Sequence, residues 1–431
     1  MAETLTARER AFNHEDGVNI INELKGIADS IGKYAKRKPY TVYGFRITSN
    51  ESDPSEKVTY LEDAIGMTPA KMDCVNGKFD YGSWRNAFFM PRPCMVKFNG
   101  TVDYYLDPDD FTKKADGTPS DYNNTAYDGN AMIEWGQNGK KIWWKVVPDS
   151  DDPTSADFYF ADEKVDSTYH AWNFINQNNQ YADHFYTPAY NGSMDSNSKM
   201  RSISGQSISN AISGSAELTA CKANGEGWYT EVVSDRMLIT YLLWLMGKST
   251  DLQGTYGQGL SGGGETAMKA YKTGALDKMG MFFGYSDTSH AVKVFGMENF
   301  WGCQWRRTAG LINKNGAIFY KMTRGTADGS SAADYNSDGT GYLAGPTSMP
   351  DGGWVTKYDY STGVYIPAEV GGSDKTYYCD YYWINKAATC YALYGGSSAS
   401  SSYCGSCVDL RNAFGDAWWS RGAALSLKPL A

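Results

Sequence analysis

Few residues in this chain have the type and spacing to do covalent or metal chemistry. Four histidines (His14, His170, His184 and His290) are far apart in sequence and lack a metal-type spacing such as HExxH, so each reads as a structural polar residue. Cys404-x-x-Cys407 has the spacing of a redox pair or of half a zinc site. No second CxxC and no nearby histidine completes it. The stretch "GLSGGGET" around Ser261 superficially resembles a nucleophile elbow but is set aside on spacing, its first Gly being read as one position too far upstream for Gly-x-Ser-x-Gly. No Gly-rich loop ending in Lys-Ser/Thr offers a phosphate cradle. Carboxylate pairs such as Asp109 and Asp110 fall in connectors, where solvation accounts for them. With no convincing catalytic set, the chain is expected to be non-enzymatic and to need neither cofactor nor metal.

The tail points elsewhere. In "YGGSSASSSYCGSCVDLRNAFGDAWWSRGAALSLK" (Tyr394–Lys428), six of the ten residues from Ser397 to Ser406 are serine. Tyrosines, glycines and a Trp-Trp pair surround them. Antibody paratopes have this composition: Tyr and Trp give contact area at low entropic cost, while Ser and Gly adapt. From Ala387 to Leu427 there is also no Lys, Glu, Gln or Met, although the rest of the chain uses all four.

The elements that must hold this tail can be read from periodicity. Residues Thr6–Lys38 read as a helix whose Ile20, Leu24, Ile27, Ile31 and Tyr34 form a short 4-3-4-3 seam, ended by Pro39. "YTVYGFRI" alternates like a strand. "AFFMPRPCMVKFNGTVDYYLDPDDF" reads as strands broken by proline and an Asn-Gly turn. A turn-rich connector, Asp107–Asn130, is expected to end a small domain. "AMIEWGQNGKKIWWKVV" then predicts a hairpin turning at Gln137–Gly139. "WYTEVVSDRMLITYLLWLMGKS" predicts one strong helix, its Val232, Met237, Leu238, Tyr241, Leu242 and Leu245 forming a broad apolar stripe. Short strands follow from Val292, and "RGAALSLKP" looks like a final core strand.

Bulk composition narrows the partners. With 431 residues, 14% aromatics and 46 glycines, the chain suits a loop-rich β structure with a contact surface. A net charge of −9 argues against nucleic acid, which wants basic patches. The longest basic run, "KYAKRK", sits at a predicted helix end, where cations offset the dipole. No run of about 18 apolar residues suggests membrane insertion. "MAETLTARERAF" carries no signal-peptide pattern. The eight cysteines are expected to be mostly buried thiols.

Several segments, in order, carry a resemblance. "KIWWKVV", "HFYTPAYNGSMDSNSKMRSISG", "WYTEVVSDRMLITYLLWLMG", "VKVFGMENFWGCQWRRTAGL", "GVYIPAEVGGSDKTYYCDYYW", "YALYGGS" and "RGAALSLKP" resemble the successive motifs of phage and prophage variable proteins of diversity-generating retroelements. In that family the C-terminal domain has a C-type-lectin fold of the formylglycine-generating-enzyme type. The resemblance implies an α+β chain with an N-terminal helix (1–40) for oligomerisation or attachment and a small β-rich domain with connector (41–129). A C-type-lectin-like ligand-binding domain (130–431) would follow, with a variable region at 387–428. It also implies a source for the missing residue types, because template adenines mutated during reverse transcription turn AAC codons into NNC, which encodes none of Lys, Glu, Gln, Met or Trp. Trp419 is then read as scaffold, and Trp418 is a difficulty.

The ligand-binding positions so implied are Tyr391, Tyr394, Ser397, Ser398, Ser400, Tyr403, Ser406, Asp409, Arg411, Asp416, Trp418 and Ser420. Gly395, Gly396, Leu410, Phe414, Gly422, Leu425 and Leu427 are read as scaffold. The implied function is a tail receptor-binding protein of a virion, made in the bacterial cytoplasm, or else a protein of the bacterial surface. Its partners would be a bacterial cell-surface protein or glycan and other phage tail proteins, and it would be a homotrimer. A formylglycine-generating-type oxidase, with Cys404 and Cys407 as its paired thiols, and a structural virion protein are the alternatives. No Glu-Pro-Asn or Gln-Pro-Asp calcium motif is present, so calcium-dependent sugar binding is disfavoured.

Overall fold

The computed structural model describes Lys25, residues 38–401 and residues 403–430. The chain divides into two compact units, Met1–Thr41 and Val42–Ala431. The predicted N-terminal helix, its apolar seam and the trimer inferred from it lie outside the described residues.

The second unit is mostly β, in an α+β arrangement. Its chain runs through β1 (Val42–Ile47), β2 (Val58–Glu62), β3 (Arg92–Lys97), β4 (Val102–Tyr105), β5 (Gly129–Trp135), β6 (Trp143–Pro148), β7 (Ala156–Ala161) and β8 (Phe185–Pro188). Helix α1 (Gly214–Lys222), strand β9 (Trp228–Thr230) and helices α2 (Val233–Gly247), α3 (Leu252–Tyr256) and α4 (Gly264–Ala270) follow. The last part is again β: β10 (Trp305–Lys314), β11 (Ala317–Tyr320), β12 (Leu343–Ala344), β13 (Gly353–Asp359), β14 (Ile366–Val370), β15 (Tyr381–Ile384), β16 (Thr389–Tyr394), β17 (Val408–Asn412), β18 (Arg421–Gly422) and β19 (Leu425–Leu427).

Among the described residues three large sheets result, beside three two-stranded ribbons. One has the order β2-β1-β7-β6, the second β9-β19-β8-β5-β3-β4, and the third β12-β11-β10-β16-β17-β15-β13-β14, with β18 added in parallel beside β10. Helix α2 is enclosed by them: every residue from Val233 to Met246 is buried. This is the buried helix that the apolar run "MLITYLLWLMG" predicts, with the stripe widened to every face. Leu, Met, Tyr and Trp on all its faces meet the core, with Tyr241 against Phe158 and Trp244 against Tyr365.

Two expectations are corrected. Residues 41–129 do not form a domain of their own. The boundary falls at the start of β5, which pairs with β3, while β1 pairs with β7 from beyond it. A strand buried along all seven residues, as β5 is, must pair its backbone on both edges, and β3 and β8 supply the partners. For the same reason β5 and β6 are not a hairpin. Both strands form and a 3₁₀ turn sits at Gln137–Gly139, but β6 pairs with β7 in the other sheet. The left-handed Gly136 (φ 99°) and Asn138 (φ 56°) re-aim the chain between them.

The β3–β4 hairpin does turn at Asn99-Gly100, with Gly100 at φ 85°. The closing segment ends as β19, inserted between β9 and β8 with Leu425 and Leu427 fully buried.

Candidate functional site

The serine-rich segment, built as it is of small hydroxyl residues, packs inward. Gly395 (φ 84°) and Gly396 (φ 70°) turn the chain out of β16. A Cβ on Gly396 would stand 2.2 Å from the Cβ of Cys404, so only glycine fits there. Ser397, Ser398, Ser400 and Ser406 beyond them make internal bonds. Ser400 Oγ accepts from the Ser397 amide at 2.8 Å, and Ser398 Oγ donates to the Gly264 carbonyl at 2.6 Å. The Ser406 amide and hydroxyl both donate to Oδ2 of Asp380, at 2.8 and 2.6 Å. Cys404 N donates to Gln253 Oε1 at 3.0 Å, and the Gln253 amide returns a bond to the Ser401 carbonyl at 3.1 Å. Buried backbone must find such partners, and serine supplies them in little space.

Most of the positions read as exchangeable surface are thus corrected. Eight of the twelve, namely Tyr391, Tyr394, Ser397, Ser398, Ser400, Ser406, Asp409 and Ser420, are buried. Strand β16 lies between β10 and β17, in the middle of the largest sheet. Tyr391 joins one apolar cluster, against Phe414 at 4.8 Å, and Tyr394 another, against Tyr365 at 5.8 Å. Composition alone cannot separate a paratope loop from a tightly turned buried one, because both use small hydroxyl residues.

Four of the twelve remain accessible. Tyr403 is half-buried, and Arg411, Asp416 and Trp418 are exposed. Tyr403 belongs to a cluster that the sequence reading missed. Trp354 on β13 sits opposite Tyr381 on β15, and Tyr381 and Trp383 flank the buried Tyr382 on one face of that strand. Trp354, Tyr381, Trp383 and Tyr403 are all half-buried. Tyr403 meets Trp354 at 5.7 Å, Tyr381 at 6.1 Å and Trp383 at 5.4 Å, while Tyr381 and Trp383 are 4.7 Å apart. Trp305 supports Trp383 from the core side at 5.5 Å.

Arg411 completes the face. Its guanidinium lies 5.2 Å from the centre of the Trp383 ring. The buried Asp409 holds it there in a two-point bond, Nε to Oδ1 at 3.1 Å and Nη2 to Oδ2 at 2.7 Å. Beside it lies an open groove of about 670 Å³, lined by Asp351, Gly352, Ile384, Asn385, Lys386, Ala387 and Arg411. The sequence signal for this face was the alternation in "YYW", which precedes the tail that drew attention.

The segment after β17 forms a second exposed feature. Arg307, buried and paired with the buried Glu217, also donates to the Asp416 carbonyl. Trp418 is 57% exposed, whereas Trp419 packs against the small cluster of Ile208, Leu260, Met268 and Cys303.

The groups read as chemically suggestive are dispersed. Cys404 and Cys407 are free, fully buried thiols, and burial raises the pKa of both. His170 stacks on Trp172, His184 stands 4.0 Å from Glu134, and His290 pairs with Asp287 at 2.7 Å; His14 is outside the described residues. Ser261 does stand in a full Gly-x-Ser-x-Gly frame, between Gly259 and Gly263, so spacing does not dismiss it. Its surroundings do: it is buried, no strand leads into it, and its hydroxyl donates to the Gln258 carbonyl. Among the described residues no three His, Cys, Asp or Glu side chains converge as a metal would require.

One carboxyl stands out. Asp380, directly before Tyr381, is fully buried, and desolvation raises its pKa to about 7 against the opposing bonds from Ser406. It anchors the loop that carries Tyr403.

Among the described residues no helix is long and apolar enough to cross a membrane. No protein-family model matches the chain, and no curated protein matches it.

Proposed function

We propose that this chain is a ligand-binding protein whose contact surface is the face of Trp354, Tyr381, Trp383, Tyr403 and Arg411. The observation that carries the reading is the half-exposure of four mutually packed rings beside a pre-positioned guanidinium. Large aromatic side chains held rigidly at a surface, with an arginine among them, are the composition of binding hot spots. Rings already packed against one another lose little freedom when a partner arrives.

On this reading, and with the resemblance to retroelement variable proteins, the chain attaches a phage or prophage virion to a bacterial surface ligand. The C-type-lectin-like scaffold belongs to the same proposal. Diversification would then act on the accessible positions, Tyr403, Arg411 and Asp416, and spare the buried serines. Sequencing codons 387–428 across a population tests that part. Change at those three positions, with Ser397, Ser398 and Ser406 constant, supports it, and uniform codons remove it.

The attachment itself is tested by adhesion of the labelled full chain to a panel of intact bacterial strains. Trp383→Ala is expected to weaken adhesion by about thirtyfold, the loss of about 2 kcal/mol at a hot spot. Val75→Ser, at an exposed residue remote in sequence from these rings, is expected to change nothing. Equal adhesion of Trp383→Ala and the unmodified chain would leave a structural virion role in its place.

A further inference from the structure

We infer that the occupant of the aromatic face is a neutral glycan, an inference that rests on the attachment reading above. Three features of the face lead there.

The rings do not stack into a single plane. Trp354 is turned 79° from Tyr381 and 81° from Tyr403, and Trp383 is turned 64° from Tyr403. The face therefore offers both ring edges and the negative ring faces. A pyranose ring presents a patch of C–H groups with partial positive charge, rimmed by hydroxyls. Its C–H patch matches the ring faces, and its hydroxyls need donors and acceptors close by.

The adjoining groove supplies those partners. Asp351 accepts, Lys386 and Arg411 donate, and Asn385 does both. Its volume, about 670 Å³, lies within the range of sites that hold small molecules.

Charge decides between neutral and acidic sugars. Lys386 Nζ is 2.8 Å from Asp351, and Arg411 is bound at two points by Asp409. Each cation at this face already has its carboxylate, so the four charges cancel. A surface selecting carboxylated, sulfated or phosphorylated sugars would carry uncompensated Arg or Lys. The sheet also disfavours an extended peptide. β15 lies between β17 and β13, and β13 between β15 and β14, so neither strand bearing the rings has a free edge for a peptide strand to join.

The test is titration of the full chain, followed by tryptophan fluorescence, with hexasaccharides of β-1,4-glucose, β-1,4-mannose and α-1,4-glucose and with hexagalacturonate. At least one neutral hexasaccharide is expected to bind saturably. Its affinity should hold between about 50 and about 500 mM NaCl, because no ion pair forms. Trp383→Ala and, independently, the loop variant Tyr403→Ala should weaken it at least about tenfold, each with a cooperative melt that still lies above the titration temperature. Binding of hexagalacturonate alone, or of none of the four, overturns the inference.

Adhesion to cells separates this failure from that of the attachment reading. Adhesion that needs Trp383, survives periodate and is abolished by protease identifies a protein ligand: the glycan falls and the attachment stands. Adhesion indifferent to Trp383→Ala removes the attachment reading itself.

Discussion

The loop from Gly395 to Cys407 and the face of Trp354, Tyr381, Trp383 and Tyr403 draw on the same small alphabet of Ser, Gly, Tyr and Trp, yet they do opposite things. In the loop, each serine hydroxyl that bonds inward, as Ser406 does to Asp380, takes the place of a water and lets backbone lie deep in the fold. On the face, rings are held by other rings with one side left open. The lesson is that a paratope-like composition reports small, adaptable or aromatic side chains, not exposure. Exposure here follows from sheet position. β16, in mid-sheet, turns both its tyrosines into core, while β13 and β15, nearer the end of the same sheet, leave Trp354, Tyr381 and Trp383 half open on one face and bury Tyr358 and Tyr382. The two regions meet at Tyr403, which the buried loop delivers to the open face.

The contrast is broken most strongly by placing a large side chain in the loop. Ser406→Tyr removes the hydroxyl bond to the buried Asp380 and overfills a closed site. It is expected to cost about 3 kcal/mol or more, measured by chemical denaturation. A loss below about 0.5 kcal/mol would mean that the loop is open after all.

The next effect is on pH dependence. Asp380 holds its proton more tightly in the folded chain (pKa about 7) than an unfolded aspartate does. The folded state therefore binds more protons between pH ~4 and ~7, and the stability contributed by this group falls as pH rises through that window. Above pH ~7 the loss is complete. Asp380→Asn keeps an acceptor for the Ser406 amide and removes the titration. The melting temperature of the unmodified chain should fall by a few degrees relative to Asp380→Asn between about pH 5 and about pH 7, inside that window. A constant difference across that range would refute the assignment.

The smallest effect is expected on the exposed side. Asp416→Tyr, the same kind of replacement at a position whose side chain is half exposed, gives up an accepted bond from the Ala413 amide at 3.0 Å and a 3.7 Å pairing with Arg421, and should cost no more than about 1 kcal/mol. Its main-chain carbonyl, which Arg307 holds, is unaffected. A large loss there would erase the distinction between the two regions.

Much of the local structure could be read from the chain. β1, the β3–β4 hairpin with its Asn99-Gly100 turn, the buried α2 and the closing β19 all follow from short-range periodicity and turn chemistry. What escaped was pairing. β6 leaves β5 for β7, although the turn between the first two is where it was expected, because β5 is already paired on both edges. The candidate site escaped for a related reason. Trp354, Tyr381, Trp383, Tyr403 and Arg411 come from three strands and a loop, and only Tyr403 and Arg411 lie in the composition-biased tail.

The amino-acid sequence by itself determined where strands, turns and the central helix form, since hydrophobic period and turn residues act over a few positions. It also determined that the tail would be rich in small and aromatic side chains. Tertiary structure alone decided which of them face solvent, because burial depends on the neighbours that a strand or loop acquires from distant parts of the chain. Ser397, Ser398, Ser400 and Ser406 became internal hydrogen-bond partners, and Trp354, Tyr381 and Trp383 came to the surface.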